Sequence, residues 1–115
     1  MDNSIYTEKR PWGSFTRFTK NEPVTVKIIT VNAGQAFSLQ SHEHRDEFWK
    51  IISGEGTITV GGTKTAVAPG LEYSVLRGTK HHIEASSSPV VFLEISRGEF
   101  DEADIVRFED KYGRA

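Results

Sequence analysis

The sequence contains no cysteine, and this absence narrows the chemistry that the protein can perform. Disulfide bonds, thiolate-bound zinc and cysteine nucleophiles are all excluded for these 115 residues. Any metal bound here must therefore be held by nitrogen and oxygen atoms.

The sequence also lacks a long apolar run and an excess of charge of one sign. No segment approaches the ~20 apolar residues that a membrane helix needs, and the polar start, Met1-Asp2-Asn3-Ser4, precedes no apolar stretch. We therefore predict no membrane partner, no secretory signal and a cytoplasmic location. Fourteen basic and sixteen acidic residues leave a net charge of −2, which predicts no nucleic-acid partner.

Short β-rich segments separated by glycine make up most of the chain. Val24–Val31 and Thr57–Val60 are rich in β-branched residues, and Gly61-Gly62 lies where a hairpin turn would join Thr57–Val60 to the next strand. Many short strands at this spacing predict an all-β sandwich or closed barrel. The length predicts one domain over residues 1–115, with an N-terminal arm (1–20) and a barrel (24–98).

Only the end of the chain has a helical pattern. In Asp101–Tyr112, the residues Ile105, Phe108 and Tyr112 recur at helical spacing, with acidic residues near the start. We predict a short C-terminal helix over 101–112 that packs as a lid on the barrel.

Candidate metal ligands lie in one short stretch of the chain. Alternate residues of a strand share a face, so Gln40, His42 and His44 are predicted to point the same way. Glu47 has the opposite parity, and a bend or bulge is needed to turn its carboxylate to that face.

A later histidine pair completes the candidate set. His81 lies near the start of another strand, whereas its neighbour His82 is predicted to face away. Imidazole, carboxylate and amide groups suit a divalent metal in a cysteine-free site. We predict one such ion, with zinc preferred and manganese, nickel, cobalt or iron as alternatives.

The spacing of these residues resembles the two motifs of the cupin superfamily. The first motif corresponds to Gly34-X5-Gln40-X-His42-X4-Glu47-X6-Gly54, with glutamine where most cupins have a histidine. The second corresponds to Gly70-X5-Leu76-X-Gly78-X2-His81-X3-Ala85, with leucine and alanine in place of the usual proline and asparagine. The resemblance implies a jelly-roll barrel, also called a double-stranded β-helix.

A closer resemblance is to the cupin domain of type II mannose-6-phosphate isomerases. It is carried, in order along the chain, by three segments: Arg10-Pro-Trp-Gly13, Ser38–Trp49 and Asp104–Arg114. In that family the cupin often follows a guanylyltransferase domain, for which 115 residues leave no room. We therefore expect a standalone cupin that performs no nucleotidyl transfer.

The resemblance implies a set of metal ligands with one alternative. The motif spacing favours Gln40, His42, Glu47 and His81. A rival set replaces Gln40 with His44, because imidazole is the better donor. Either set leaves the ligands entirely nitrogen and oxygen.

The implied activity is isomerisation of mannose 6-phosphate to fructose 6-phosphate, which needs a metal, a base and cations for the phosphate. His44 and Glu94 are the candidate bases, and Trp49 is a candidate wall of the sugar pocket if it is not simply part of the core. The candidate phosphate ligands are Arg10, Arg45, Lys80 and Arg97.

Two other functions fit the same motifs. The chain could be a non-catalytic cupin that binds a sugar or small polar ligand, or another metal-dependent cupin enzyme such as an iron oxygenase. Family resemblance also implies a homodimer. Trp12, beside Pro11, is predicted to pack the N-terminal arm over a barrel end or a partner subunit.

Overall fold

The computed structural model of the protein describes residues 5–109, which form eleven β-strands. Among these residues, no helix is long and apolar enough to cross a membrane. The strands are β1 (Tyr6–Arg10), β2 (Gly13–Arg17), β3 (Thr25–Val31), β4 (Leu39–Ser41), β5 (Arg45–Ser53), β6 (Gly56–Val60), β7 (Thr63–Ala66), β8 (Glu72–Val75), β9 (His81–Ala85), β10 (Val90–Gly98) and β11 (Val106–Glu109).

Two antiparallel sheets enclose the core. One has the strand order β3-β10-β5-β8, and the other has the order β11-β4-β9-β6-β7. Trp49 and Phe92 from the first sheet belong to the same buried cluster as Ile58 and Ile83 from the second. Fully burying an apolar side chain of this size contributes about 1.5–3 kcal/mol. The all-β prediction is confirmed for the described part of the chain.

The inward-facing positions change from apolar to polar along the strands. On β10, Val90 and Phe92 are buried, and Glu94, two positions further on the same face, is also buried. On β5, Ile51 and Trp49 give way in the same manner to Glu47. Apolar burial therefore stabilises one end of the barrel, and the other end collects polar groups.

The predicted hairpin at Gly61-Gly62 is confirmed. Strands β6 and β7 pair in register with Val60 opposite Thr63, so the two glycines form the turn. Gly61 has a φ of 60°, a conformation that costs glycine little and other residues more.

Gly56 stands where β6 passes very close to β9. A Cβ atom at this position would lie 2.0 Å from the carbonyl oxygen of Glu84. We expect Gly56→Ala to lower the free energy of unfolding by about 2 kcal/mol or more, because backbone must move to relieve the overlap. Urea unfolding followed by tryptophan fluorescence measures the change.

Gly62 provides the matched control for this substitution. A Cβ at Gly62 would meet no atom within 4 Å, so Gly62→Ala should change stability by less than about 1 kcal/mol. Equal effects of the two substitutions would contradict the steric explanation.

The predicted C-terminal helix is wrong for residues 101–109. A turn after Asp101 leads into β11, which pairs with β4 and places Arg107 opposite Gln40. Strand pairing gives the backbone of β4 a hydrogen-bonding partner, and alternation turns Ile105 and Arg107 towards the interior cavity described below. A helix over the same residues could satisfy only its own backbone. Residues 110–112 of the predicted helix lie outside the described residues.

The N-terminal arm forms a hairpin of its own. Strands β1 and β2 pair with each other and, within residues 5–109, with no other strand. Trp12 lies in the connecting turn and is 74% exposed, so it does not pack over a barrel end within this chain.

Candidate metal centre

Three buried side chains meet at the polar end of the barrel. His42 follows β4, His81 begins β9, and Glu47 comes from β5 in the facing sheet. One potential ligand atom from each lies within 4.8 Å of the other two. These three residues could hold a metal ion, and the candidate centre joins the two sheets.

The imidazole of His81 is oriented as a ligand. Its Nδ1 lies 3.0 Å from the carbonyl oxygen of Thr79, which can only accept a hydrogen bond, so the proton is on Nδ1 and Nε2 carries a lone pair. Nε2 is buried and has no hydrogen-bond partner among residues 5–109. Burial lowers the pKa of His81 to about 4, so the ring is neutral near pH 7.

His42 is held in the same tautomer. Its Nδ1 donates to the carbonyl oxygen of Asp104 at 2.6 Å, and its Nε2 lies 3.5 Å from Oε2 of Glu47. Histidine ligands of metals commonly donate their other ring proton to a carbonyl in this way. Both rings therefore keep a lone pair on Nε2, and the buried, unpartnered atom of His81 shows that these residues fit a metal ion.

Glu47 supplies the buried negative charge of the centre. Its Oε1 accepts a hydrogen bond from Nε1 of Trp49 at 3.1 Å, and its Oε2 accepts one from Nε of Arg45 at 2.9 Å. Glu94 is buried nearby on β10. Burial and the negative charge of Glu47 raise the pKa of Glu94 to about 7.

Gln40 and His44, the two alternatives for a further ligand, lie in different places. Gln40 pairs across the sheet with His81 and lines the cavity beside the centre, where its Oε1 accepts a hydrogen bond from Ser38 at 2.8 Å. His44 is exposed and lines a separate surface hollow.

The strand alternation on which His44 was placed fails because the chain bends at Glu43 and His44. Their backbone N–H groups donate to the carboxylate of Asp104 at 2.9 and 3.0 Å. The same bend turns Glu47 inward, as the parity argument required. The prediction that His44 points into the metal pocket is therefore wrong.

A cavity of about 220 Å³ opens beside the centre. Trp49 forms part of its wall as well as part of the core, and Glu94 and Arg45 also line it. The residues lining it are Lys27, Ile29, Phe37, Gln40, His42, Arg45, Trp49, Glu94, Glu102, Ile105 and Arg107.

Sequence reasoning missed two cations of this cavity. Lys27 shares the inward face of β3 with Ile29 and Val31, a lysine within an apolar stripe that alternation could have revealed. Arg107 lies in the segment for which the sequence predicts a helix, so strand alternation gave no signal for it. Its Nε is buried and without a hydrogen-bond partner in the described part of the chain.

The structure does not bring the other three predicted phosphate ligands to this cavity. Arg10 lies on the N-terminal hairpin and pairs with Glu8. The ammonium group of Lys80 lies 4.1 Å from the centre of the exposed Phe108 ring, and Arg97 pairs with Glu22 at 3.3 Å. Nearness to a motif in sequence misplaced them, because it does not fix where a side chain lies in the fold: Arg10 is on the separate hairpin β1–β2, and Lys80 precedes β9.

Comparison with known proteins agrees with this architecture. The family model described as Mannose-6-phosphate isomerase C-terminal matches residues 2–110. Mannose-1-phosphate guanylyltransferase ManC of Salmonella typhimurium is 35% identical over 116 residues, which are 99% of this chain and 24% of that protein. A mannose-1-phosphate guanylyltransferase of Klebsiella pneumoniae is 37% identical over 107 residues, which are 91% of this chain and 23% of that protein. The chain thus spans only 24% and 23% of the length of these two curated relatives.

Solved structures share the fold. A cupin protein from Bacteroides fragilis superposes with a TM-score of 0.60 at 29% identity, covering 70% of this chain and 74% of that one. A protein with a double-stranded β-helix domain from Klebsiella pneumoniae gives a TM-score of 0.64 at 24% identity, covering 76% of each chain. The predicted jelly-roll barrel is confirmed, and the chain belongs to the mannose-6-phosphate isomerase C-terminal family of cupin domains.

Proposed function

We propose that this barrel is a metal-dependent sugar-phosphate isomerase that interconverts mannose 6-phosphate and fructose 6-phosphate. The observation that carries the proposal is the meeting of His42, Glu47 and His81 beside a cavity that also holds cations and a second buried carboxylate. The curated relatives are named for guanylyltransferase activity. The part of them that matches this chain corresponds to the family model named for the isomerase, so isomerisation is the activity that we propose.

Zinc is the metal that we propose, with manganese, nickel, cobalt or iron as alternatives. His42, Glu47 and His81 would hold it, and Gln40 would be a fourth ligand if its amide oxygen turned from Ser38. When bound, the metal would polarise the sugar carbonyl and stabilise negative charge on its oxygen. With Gln40 bonded to Ser38 as observed, three protein ligands leave a coordination position open for substrate.

Glu94 is the base that we propose for the proton transfer. Isomerisation removes a proton from the carbon beside the carbonyl and delivers one to the former carbonyl carbon, without net oxidation. Glu94 is buried in the wall of the cavity, where a carboxylate would be screened from water. His44, the other candidate, is exposed outside the cavity.

Arg107 is the residue that we propose for holding the phosphate. Arg107 lines the cavity, and its buried Nε–H lacks a partner within residues 5–109. An anionic substrate would supply the missing acceptor. Lys27 also lines the cavity, but its ammonium already binds the carboxylate of Glu102 at 2.6 Å.

An interconversion assay with purified protein tests the proposal. Mannose 6-phosphate is incubated with metal-free protein to which zinc, manganese, nickel, cobalt or iron(II) is added, and fructose 6-phosphate is measured. We expect turnover that requires metal and is lost with a chelator. Metal and sugar-phosphate binding without turnover would favour a non-catalytic binding cupin. Iron as the only metal in the purified protein, with no fructose 6-phosphate formed, would favour an oxygenase.

We also propose that the barrel forms a homodimer. The hairpin β1–β2 carries exposed Tyr6, Trp12 and Phe15, and the outer face of β3 exposes Val26 and Ile28. Exposed apolar groups of this kind and an open sheet edge suit a second copy of the chain. Size-exclusion chromatography with light scattering should give twice the 12.9 kDa chain mass, and a monomer would contradict the proposal. The cytoplasmic location and the absence of nucleic-acid and membrane partners stay predictions.

A further inference from the structure

Arg45 places its positive charge against two of the three candidate metal ligands. Its side chain is only 6% exposed; its Nε donates to Oε2 of Glu47 at 2.9 Å, and its Nη2 lies 3.3 Å from Nε2 of His42. Because Nδ1 of His42 carries the ring proton, Nε2 accepts a hydrogen bond from the guanidinium. Arg45 is thus hydrogen-bonded to Oε2 of Glu47 and Nε2 of His42, which are potential metal-binding atoms.

The same atoms would be needed to bind a metal ion. An imidazole Nε2 has one lone pair, so it cannot accept a hydrogen bond from Arg45 and bind metal at the same time. A guanidinium in this position would also repel a divalent ion strongly, because both charges would be buried. The observed position of Arg45 and a metal bound to His42 are therefore mutually exclusive.

The side chain of Arg45 has space to move aside. It lines the cavity of about 220 Å³, so rotation about its own side-chain bonds can carry the guanidinium away while the backbone of β5 stays paired. Its remaining contacts come from one segment between β10 and β11: Nη1 donates to the carbonyl oxygen of Asp101 at 3.0 Å, and the guanidinium carbon lies 4.5 Å from the centre of the Phe100 ring.

We propose that Arg45 is an internal cation that competes with the metal for His42 and Glu47. In the metal-free protein it balances the buried charge of Glu47, and on metal binding it withdraws into the cavity. Arg45 acts by contacting the metal ligands, so it is a positioning residue and not a catalytic one. The inference rests on the metal site of the proposed function and is independent of whether the barrel isomerises a sugar.

Zinc affinity of Arg45→Gln tests the competition. The dissociation constant is measured by competition with a chromogenic chelator, and the melting temperature of the metal-free protein is measured alongside. We expect the variant to bind zinc at least about tenfold more tightly than wild type does, because no charged hydrogen bond must be broken. The metal-free variant should melt at a lower temperature, because Glu47 loses its buried partner.

Arg77→Gln is the matched control. Arg77 is half exposed and lies near Asp46, so the substitution removes the same charge from the surface and should leave zinc affinity within about twofold. Unchanged or weaker zinc binding by folded Arg45→Gln would overturn the competition. A wild-type protein that binds no zinc would instead overturn the metal site itself, so the two failures are distinguishable.

NMR of the wild-type protein provides a second test of the competition between Arg45 and the metal. The Nε–H of Arg45 is hydrogen-bonded to Glu47 and buried, so its ¹⁵N NMR signal should be protected from exchange with water in the metal-free state. We expect the signal to shift and lose protection as zinc is added to saturation. A signal that is unchanged in the zinc-saturated protein would overturn the proposal.

Discussion

Replacing His81 with alanine should weaken zinc binding by at least about 100-fold, which corresponds to about 2.7 kcal/mol. His81 presents a buried Nε2 without a partner in the described residues, and its Nδ1–H is fixed by the carbonyl of Thr79. Removing a residue that binds the metal directly costs more zinc affinity than removing a group that only orients such a ligand. Isothermal titration of metal-free protein with zinc, or chelator competition if binding is tight, measures the loss.

His82→Ala is the control for this substitution. His82 is the next residue on β9, and the strand turns successive side chains to opposite faces, so its removal should change zinc affinity by less than about threefold. Near-UV circular dichroism of both metal-free variants checks that the barrel is intact. Equal zinc affinities of folded His81→Ala and wild type would rule out His81 as a ligand.

Glu94→Gln should change how the stability of the metal-free protein depends on pH. Burial and the charge of Glu47 raise the pKa of Glu94 from 4.5 to about 7, and the cations Lys27 and Arg45 offset this only in part. Between these values the folded chain holds a proton that the unfolded chain releases. The stability that this proton contributes is therefore complete below about pH 4.5 and is lost as the pH rises through about 7.

Glutamine is neutral at every pH, so the variant should lack this loss. Relative to Glu94→Gln, wild type should lose on the order of 3 kcal/mol of unfolding free energy between about pH 4.5 and pH 8. Urea unfolding of both proteins with a chelator present measures the difference at each pH. The lowered pKa of His81 acts in the opposite direction in both proteins, with stability lost as the pH falls from 6.5 to about 4.

Glu84→Gln provides a control at an exposed position of β9. This variant keeps the buried carboxylate of Glu94, so its unfolding free energy should show the same loss with rising pH as wild type. A constant difference between Glu94→Gln and wild type at all pH values would show that Glu94 is not desolvated in the folded barrel.

Much of the fold could be predicted because strand and turn signals are local. The β-branched run of Thr57–Val60 followed by Gly61-Gly62 predicted a hairpin that the structure confirms, with Val60 opposite Thr63. The prediction of a C-terminal helix was wrong because it depended on only three apolar residues, Ile105, Phe108 and Tyr112. So few residues are compatible with more than one secondary structure. The deciding interaction, pairing of β11 with β4, joins residues more than 60 positions apart.

The candidate site, like the fold, could be predicted only in part from the sequence. Motif spacing singled out His42, Glu47 and His81, which the structure brings together. Strand alternation and the donor strength of imidazole also singled out His44, which lies outside because the carboxylate of Asp104 holds the bend at Glu43 and His44. Strand parity cannot anticipate a bend that a distant residue stabilises.

By itself, the sequence determined the donor chemistry, since a chain without cysteine offers a metal only nitrogen and oxygen, and it determined an all-β architecture through its strand and turn pattern. Only the tertiary structure decided which groups share the interior. It set Arg45 against the candidate ligands and brought Arg107 and Glu94 to one cavity. The reason is physical: a strand's own residues set which side chains alternate, but facing sheets and long-range pairing set which of them meet.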